Sequence, residues 1–111
     1  MGAFTKIGTV DPDAFTITGT WSQSQGEIRD YWAIGSEGKM YVKLCPGGVM
    51  HEHQDAGKRI HIILKTNPDA VMTIDGVEYR PELGGIYLMD VSLPHSSVNN
   101  GTTDRIHLVL L

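Results

Sequence analysis

The sequence predicts an all-β domain, either a β-sandwich or a barrel, built from many short strands. Its 111 residues include 13 glycines and 5 prolines, and these turn-forming residues separate short apolar runs. The pair Asp75-Gly76 lies between two such runs and has the composition of a two-residue hairpin turn. Short strands divided by glycine turns at this spacing are typical of sandwiches and barrels.

Each predicted strand is an apolar or alternating run bounded by turn residues. Residues 39–44 alternate most clearly, and Pro46-Gly47-Gly48 is predicted to end that strand. Residues 27–34 show no clean period and are predicted to form one or two helical turns. The predicted strands cover residues 4–10, 15–18, 39–44, 49–55, 59–64, 70–74, 77–80, 86–90 and 105–110.

Composition and charge favour a soluble, cytoplasmic, single-domain protein. Hydrophobic residues make up 41% of the chain and charged residues 20%, which is ordinary for a globular domain of this length. A net charge of −4 without a basic run argues against a nucleic-acid partner. No apolar run approaches the roughly 20 residues needed to cross a bilayer, and the first residues lack a signal-peptide layout. The single cysteine, Cys45, excludes an internal disulfide and suits a reducing compartment.

The strongest functional signal combines His53, Asp55 and His95. His53 and Asp55 are two positions apart, so on an extended strand both side chains leave the same face. His95 joins them only if the chain folds back. Two imidazoles and one carboxylate on one side of a metal form the facial triad of non-haem Fe(II) oxygenases. These three residues are therefore the candidate metal ligands.

Arg105 follows His95 by ten positions and begins an apolar strand. Its guanidinium is a fixed fork of donors that matches a carboxylate, so it is a candidate to bind a dicarboxylate cosubstrate. The segment Arg59-Ile60-His61 closely resembles Arg105-Ile106-His107. Both strands are predicted to bury apolar residues on one side and to present Arg and His to a polar cavity on the other.

Several residues have competing interpretations. His51 has the same strand parity as His53, as in a cupin-type three-histidine site, but the glutamate such a site needs is missing from residues 55–58. Arg105 has an alternative role in a weak surface pair with Asp104. Asp90 is predicted to cap a turn or to support a ligand.

From Gly38 onward the chain resembles the aspartyl/asparaginyl β-hydroxylase family and the related proline hydroxylases, which are Fe(II)/2-oxoglutarate-dependent dioxygenases. The ordered features that carry the resemblance are a Pro-Gly turn before the first histidine, an Arg-x-His strand, a glycine-rich strand ending in aspartate, a second histidine, an Asn turn and a following arginine. In this sequence they are Pro46-Gly47, His53, Arg59, His61, Asp90, His95, Asn99 and Arg105.

The resemblance implies a double-stranded β-helix, the jelly roll of cupin-like proteins. Residues 38–111 would form its catalytic core, and residues 1–37 would add strands and a loop that pack on this core. His53, Asp55 and His95 would bind Fe(II), and Arg105 would bind the distal carboxylate of 2-oxoglutarate. Arg59 and His61 would line the same pocket for the substrate or the cosubstrate.

The function implied is an O2-dependent dioxygenase that hydroxylates an amino acid or amino-acid residue of the Asp, Asn or Pro type, free or in a peptide. Two alternatives remain open: a non-catalytic cupin-like module that binds a metal or small ligand, and a jelly-roll structural domain without a metal. Exposed edge strands in so small a sheet also make a homodimer plausible.

Overall fold

The computed structural model describes residues 2–110, in which ten strands form one curled, antiparallel sheet. Two short 3-10 helices, Pro12–Ala14 and Ser36–Gly38, lie between strands. None of the helices in this described part could span a membrane. The prediction of an all-β fold is confirmed. The strands are β1 Phe4–Thr9, β2 Ser22–Gln23, β3 Ile28–Ile34, β4 Met40–His53, β5 Lys58–Lys65, β6 Ala70–Ile74, β7 Val77–Tyr79, β8 Gly85–Asp90, β9 His95–Asn99 and β10 Arg105–Leu110.

Strand order shows how the sheet closes around an interior. The hydrogen-bonded order is β1-β8-β5-β10-β4-β9-β6-β7, while β3 pairs with β2 and with β4. The first part of β4 pairs with β10, from Leu44 opposite Arg105 to Met40 opposite Val109. Its last part pairs with β9, where His53 lies opposite His95. One strand therefore links two halves of the sheet.

The predicted break at Pro46-Gly47-Gly48 is wrong, because β4 continues through it as a bend. Gly47 has φ of +79°, and a Cβ on Gly48 would lie 2.7 Å from the Cys45 carbonyl oxygen. Glycine is therefore required at both positions. Pro46 has no backbone N–H to donate to a neighbouring strand. It is tolerated at the bend because β4 changes partners there, between Leu44 and Val49.

The helical turns predicted for residues 27–34 are also wrong, since this segment is β3. Its pairing with β4 fixes the extended conformation, and a register shift falls between Ile28 and Asp30. Arg29, inside that shift, has φ of 48°. The irregularity hides the alternation that would have identified a strand. The predicted strand at residues 15–18 is absent as well, because this segment forms no regular element.

Apolar residues pack in two separate clusters. One contains Met72, Ile74, Met89 and Val91, with Phe4 against it. The other is centred on three residues of adjacent strands and is covered by the N-terminal segment. Its central residues are Tyr41, Ile62 and Leu108, and the covering residues include Val10, Phe15 and Trp21.

Asn99 fixes the turn between β9 and β10. Its side chain is fully buried, and Nδ2 donates to the carbonyls of Leu44 at 2.8 Å and Thr103 at 2.9 Å. Its Oδ1 accepts from the backbone N–H of Gly101 at 3.0 Å and from Nδ2 of Asn67 at 3.2 Å. Every polar group of this amide is paired, so it ties the turn before Arg105 to strand β4.

We expect Asn99→Asp to lower the free energy of unfolding by about 2 kcal/mol or more, since it places a buried carboxylate against the two carbonyl oxygens that now accept from the amide. Urea unfolding at neutral pH measures this loss. The matched control is Asn100→Asp at the adjacent exposed position, which should change stability little. Equal effects of the two substitutions would contradict the role assigned to the Asn99 amide.

Candidate metal centre and its cavity

The fold brings His53, Asp55 and His95 together. His53 ends β4, His95 begins β9, and their rings lie 4.3 Å apart between centroids. Asp55 follows β4, and its backbone N–H donates to the carbonyl of Val91 at 2.8 Å. One potential ligand atom from each of the three residues lies within 4.8 Å of the others. The two-residue spacing and the fold-back of the chain together produce this cluster.

Backbone carbonyls orient both imidazoles. Nδ1 of His53 lies 2.8 Å from the carbonyl oxygen of His51, and Nδ1 of His95 lies 2.8 Å from that of Leu93. A carbonyl only accepts, so each Nδ1 carries the proton and donates. The Nε2 atoms then face Asp55 Oδ2, at 3.4 Å for His53 and 3.8 Å for His95.

This arrangement directs three electron-pair donors towards one point. When a histidine is neutral and its Nδ1 donates, its Nε2 carries a lone pair, and a carboxylate oxygen also accepts, so the three atoms could share a bound cation. Burial lowers the pKa of His95, although the Leu93 carbonyl and Asp55 oppose the shift. The His95 imidazole is therefore neutral at pH 7. Second hydrogen bonds of this kind to a backbone carbonyl are usual for metal-binding histidines.

The centre lies at the mouth of a cavity. The side chains of His53 and Asp55 are 38% and 35% exposed, whereas that of His95 is 3% exposed. The cavity behind them has a volume of about 80 Å³. Its apolar wall consists mainly of methionine and valine: Met40, Val42, Met50, Met72, Met89, Val91 and Val109. A ligand in this cavity would be largely shielded from water.

Arg105 points into this cavity and not to the surface. It is 4% exposed, and no carboxylate within residues 2–110 lies close enough to form an ion pair with it. Burial lowers the pKa of Arg105 to about 10, with Asp30 acting in the opposite direction. The guanidinium thus remains a cation at neutral pH. The alternative pairing with Asp104 is not formed.

Two polar atoms of the cavity wall are buried without a hydrogen-bond partner among the described residues. They are Nε of Arg105 and Oγ of Ser97. Leaving such groups unpaired costs about 1–3 kcal/mol each, and more when the group is charged. Both atoms can donate, so each is available to an anion bound in the cavity. Ser97 was not predicted from the sequence, although its even spacing from His95 on β9 places both on one face.

Asp30 is a second cavity residue that sequence reasoning missed. It is the one buried acid in residues 2–110, and the shift in β3 beside Arg29 turns it inward. Burial raises the pKa of Asp30, while Arg105 and Ser24 act to lower it. No local signal could have revealed it, because residues 27–34 lack the alternation of a regular strand.

Arg59 and His61 also line the cavity. Arg59 Nη1 lies 3.9 Å from Asp55 Oδ2, so it is the cation nearest to the candidate metal ligands. His61 is buried, with Nδ1 lying 3.0 Å from Nδ1 of His107. His107 is also buried but lies behind His61, outside the cavity lining.

The remaining candidates lie outside the centre. The exposed ring of His51 is 3.3 Å from Glu27, and the residue contributes its backbone carbonyl to His53. Asp90 caps a turn, because its Oδ1 accepts from the N–H and hydroxyl of Ser92. These two hydrogen bonds lower the pKa of Asp90. Cys45 is half-buried, and burial raises the pKa of its thiol.

Fold and site together define a cupin-type jelly roll with an open His-Asp-His cluster and a cationic pocket. Residues 31–111 match the family model described as aspartyl/asparaginyl beta-hydroxylase. The match spans well over half of the chain, so the protein belongs to the aspartyl/asparaginyl β-hydroxylase family. The resemblance seen in the sequence is thereby confirmed.

One curated relative agrees with this family assignment, and two solved structures agree with the fold. L-proline cis-4-hydroxylase of Rhizobium meliloti is 35% identical over 52 residues, which cover 47% of this chain and 19% of that protein. The chain therefore spans about a fifth of that curated relative. A predicted oxalate decarboxylase of Thermotoga maritima is similar in fold, with a TM-score of 0.58, 23% identity and coverage of 74% of this chain and 81% of that chain. The cupin domain of Schizosaccharomyces pombe Cnp3 gives a TM-score of 0.63 at 14% identity, covering 81% and 65% respectively.

We expect His53→Ala to weaken Fe(II) binding more than about a hundredfold, because even supporting groups around a metal are worth roughly 10–100-fold. Anaerobic isothermal titration calorimetry measures the affinity. His51→Ala is the matched control, since it keeps the backbone carbonyl that accepts from His53. An equal loss in both variants would mean that His51 shares the metal.

The buried histidines also predict a dependence of stability on pH. Burial lowers the pKa of His61 to about 3 and that of His107 well below its ordinary value. Between about pH 6.5 and pH 3 the unfolded chain therefore binds protons that the folded chain does not, and the free energy of unfolding falls as pH falls. Each histidine contributes roughly 1 kcal/mol per pH unit.

Urea unfolding between pH 7.5 and pH 5 measures this slope. His107→Asn should reduce it, because this substitution removes one of the two buried imidazoles. A slope that is the same in wild type and His107→Asn would show that His107 takes up its proton in the folded state.

Proposed function

We propose that the protein is an Fe(II)/2-oxoglutarate-dependent dioxygenase that hydroxylates an amino acid or amino-acid residue. The proposal rests on two features that share one cavity. One is the His-Asp-His cluster with its ligand atoms converging, and the other is a buried guanidinium with no hydrogen-bonded anion. A dicarboxylate with a keto-acid end would use both features, the metal cluster for its keto-acid end and the guanidinium for its distal carboxylate.

The donor set suits Fe(II). His53, Asp55 and His95 would hold the ion through two neutral imidazoles and one carboxylate, which leaves positions for other ligands. When bound, iron and 2-oxoglutarate supply the oxidising chemistry: one oxygen atom of O2 enters succinate and the other the hydroxylated product, with release of CO2. The protein's own residues provide binding, orientation and shielding.

Arg105 would fix the cosubstrate by its distal carboxylate. Its Nε and the Ser97 hydroxyl are the unpaired donors available there, and a carboxylate would neutralise the buried charge. The methionine and valine wall keeps water from the reacting end. Arg59 and His61 present further donors to the substrate or the cosubstrate, close to the cluster.

An amino-acid substrate is supported by the family and by the proline hydroxylase relative. The half-exposed side of the cluster, at His53 and Asp55, is where a substrate would approach. A free amino acid and a residue within a peptide are both compatible with an open mouth. The Asp, Asn and Pro classes are the first to screen.

The rival function is a non-catalytic cupin-like module that binds a metal or a small ligand. The cupin domain of Schizosaccharomyces pombe Cnp3 shares the fold, and this fold serves unrelated functions. Such a module predicts that Arg105 is dispensable. A purely structural domain predicts that no metal binds at all.

The test is an anaerobic titration of the protein with Fe(II) and then 2-oxoglutarate, following the visible charge-transfer band of the chelate. We expect a band in the wild type and none in His53→Ala. Arg105→Gln should need about a hundredfold more 2-oxoglutarate, because a buried charged hydrogen bond is lost. Arg80→Gln, outside the cavity, is the matched control.

Thermal melts of each variant establish that it is folded under the titration conditions. A folded, metal-loaded wild type without the band would overturn the dioxygenase proposal. A band that Arg105→Gln leaves at wild-type affinity would remove the role assigned to Arg105.

A further inference from the structure

His61 and His107 form a buried pair, and the proposed reaction gives no role to His107. They lie on the adjacent strands β5 and β10, and their Nδ1 atoms are 3.0 Å apart. The rings meet edge to face, with centroids 5.3 Å apart and planes at 85°. At this distance one Nδ1 carries a hydrogen and the other accepts it.

Both rings are neutral. Burial is the main cause that lowers the pKa of each, and the positive charge of Arg105 adds to it. Arg59 acts on His61 in the same sense. With a single proton on each ring, the direction of the shared hydrogen bond fixes which nitrogen is protonated in both histidines.

The second nitrogen of His107 decides that direction. His107 Nε2 is buried and has no hydrogen-bond partner among the described residues. If His107 accepted at Nδ1, its Nε2 would carry a buried N–H without an acceptor; if it donates, Nε2 holds only an unshared electron pair. A buried N–H without a partner is rarer in proteins than a buried acceptor without one. Arg105 lies on the same face of β10, and its positive charge favours a lone pair over an N–H at His107 Nε2. His107 is therefore the donor.

We propose that His107 is a positioning residue that holds His61 with its proton on Nε2. His61 lines the cavity and its Nδ1 is occupied by His107, so Nε2 is the nitrogen that remains for a bound molecule. Together with Arg59 and Arg105, the wall formed by β5 and β10 then offers only hydrogen-bond donors. Such a wall favours a carboxylate, which only accepts hydrogen bonds, over a neutral group such as an amide, which also has to donate.

The tautomer can be measured directly without metal or ligand. The chain has five histidines, so two-bond 1H–15N spectra of the full chain labelled with 15N-histidine are simple to interpret. His61→Gln and His107→Asn identify the two residues by the signals that disappear. In the wild type at pH 7.5 we expect the Nε2–H form for His61 and the Nδ1–H form for His107. The reverse pattern, or a charged ring, overturns the proposal.

Two substitutions separate positioning from packing. Asparagine can place its amide N–H near the position of the histidine Nδ1, so His107→Asn should keep the Nε2–H form of His61. His107→Phe fills the space without a donor, so His61 should become a mixture of tautomers. A pure Nε2–H form in folded His107→Phe would show that His107 does not set it.

The effect on 2-oxoglutarate affinity rests on the proposed function. In the same charge-transfer titration, His107→Phe should weaken 2-oxoglutarate binding about tenfold, the usual loss for one hydrogen bond to a charged group, and His107→Asn should restore it. If a folded His107→Phe variant has mixed His61 tautomers but unchanged 2-oxoglutarate affinity, the His61 tautomer does not affect 2-oxoglutarate binding. If the wild type shows the expected tautomers but no band, the proposed function fails while the positioning role of His107 stands.

Discussion

The cavity depends on strand β4 changing partners at its bend. Before Pro46-Gly47-Gly48 the strand pairs with β10, which begins at Arg105, and beyond it the strand pairs with β9, which begins at His95. The bend requires glycine because one residue has a left-handed φ and the next has no room for a Cβ. A straight strand would keep the two halves in one plane. The curled strand makes the guanidinium and the imidazoles face one interior.

Charge sets the second constraint. An interior that holds Arg105, with Arg59 close by, is unfavourable unless anions or hydrogen bonds compensate them. Asp55 is near Arg59, and Asp30, which lies on the other side of Leu44 from Arg105 in the sheet, acts on Arg105 without forming an ion pair. Two donors, Arg105 Nε and Ser97 Oγ, stay unpaired. Both donors line the cavity, and buried polar groups left uncompensated in this way are typical of a binding site.

The sequence was informative where chemistry depends on spacing along one strand. His53 and Asp55 share a face because a strand has a period of two, and Arg59 with His61 share one for the same reason. It failed where pairing overrides local preference. Residues 27–34 form β3 because β4 provides a partner, and the irregularity at Arg29 that hides the strand also turns Asp30 inward. The contribution of His107 is equally invisible, because it depends on a neighbour 46 positions away in the chain.

The sequence by itself determined the all-β class, the candidate ligands and the candidate carboxylate-binding arginine, since residue type, strand period and turn composition are local properties. Tertiary structure alone decided which polar groups meet. It placed His95 opposite His53, buried Arg105 and left its Nε unpaired, and paired His61 with His107. These contacts join residues distant in the chain, and their energies depend on burial and mutual orientation. Both quantities exist only after the sheet has curled.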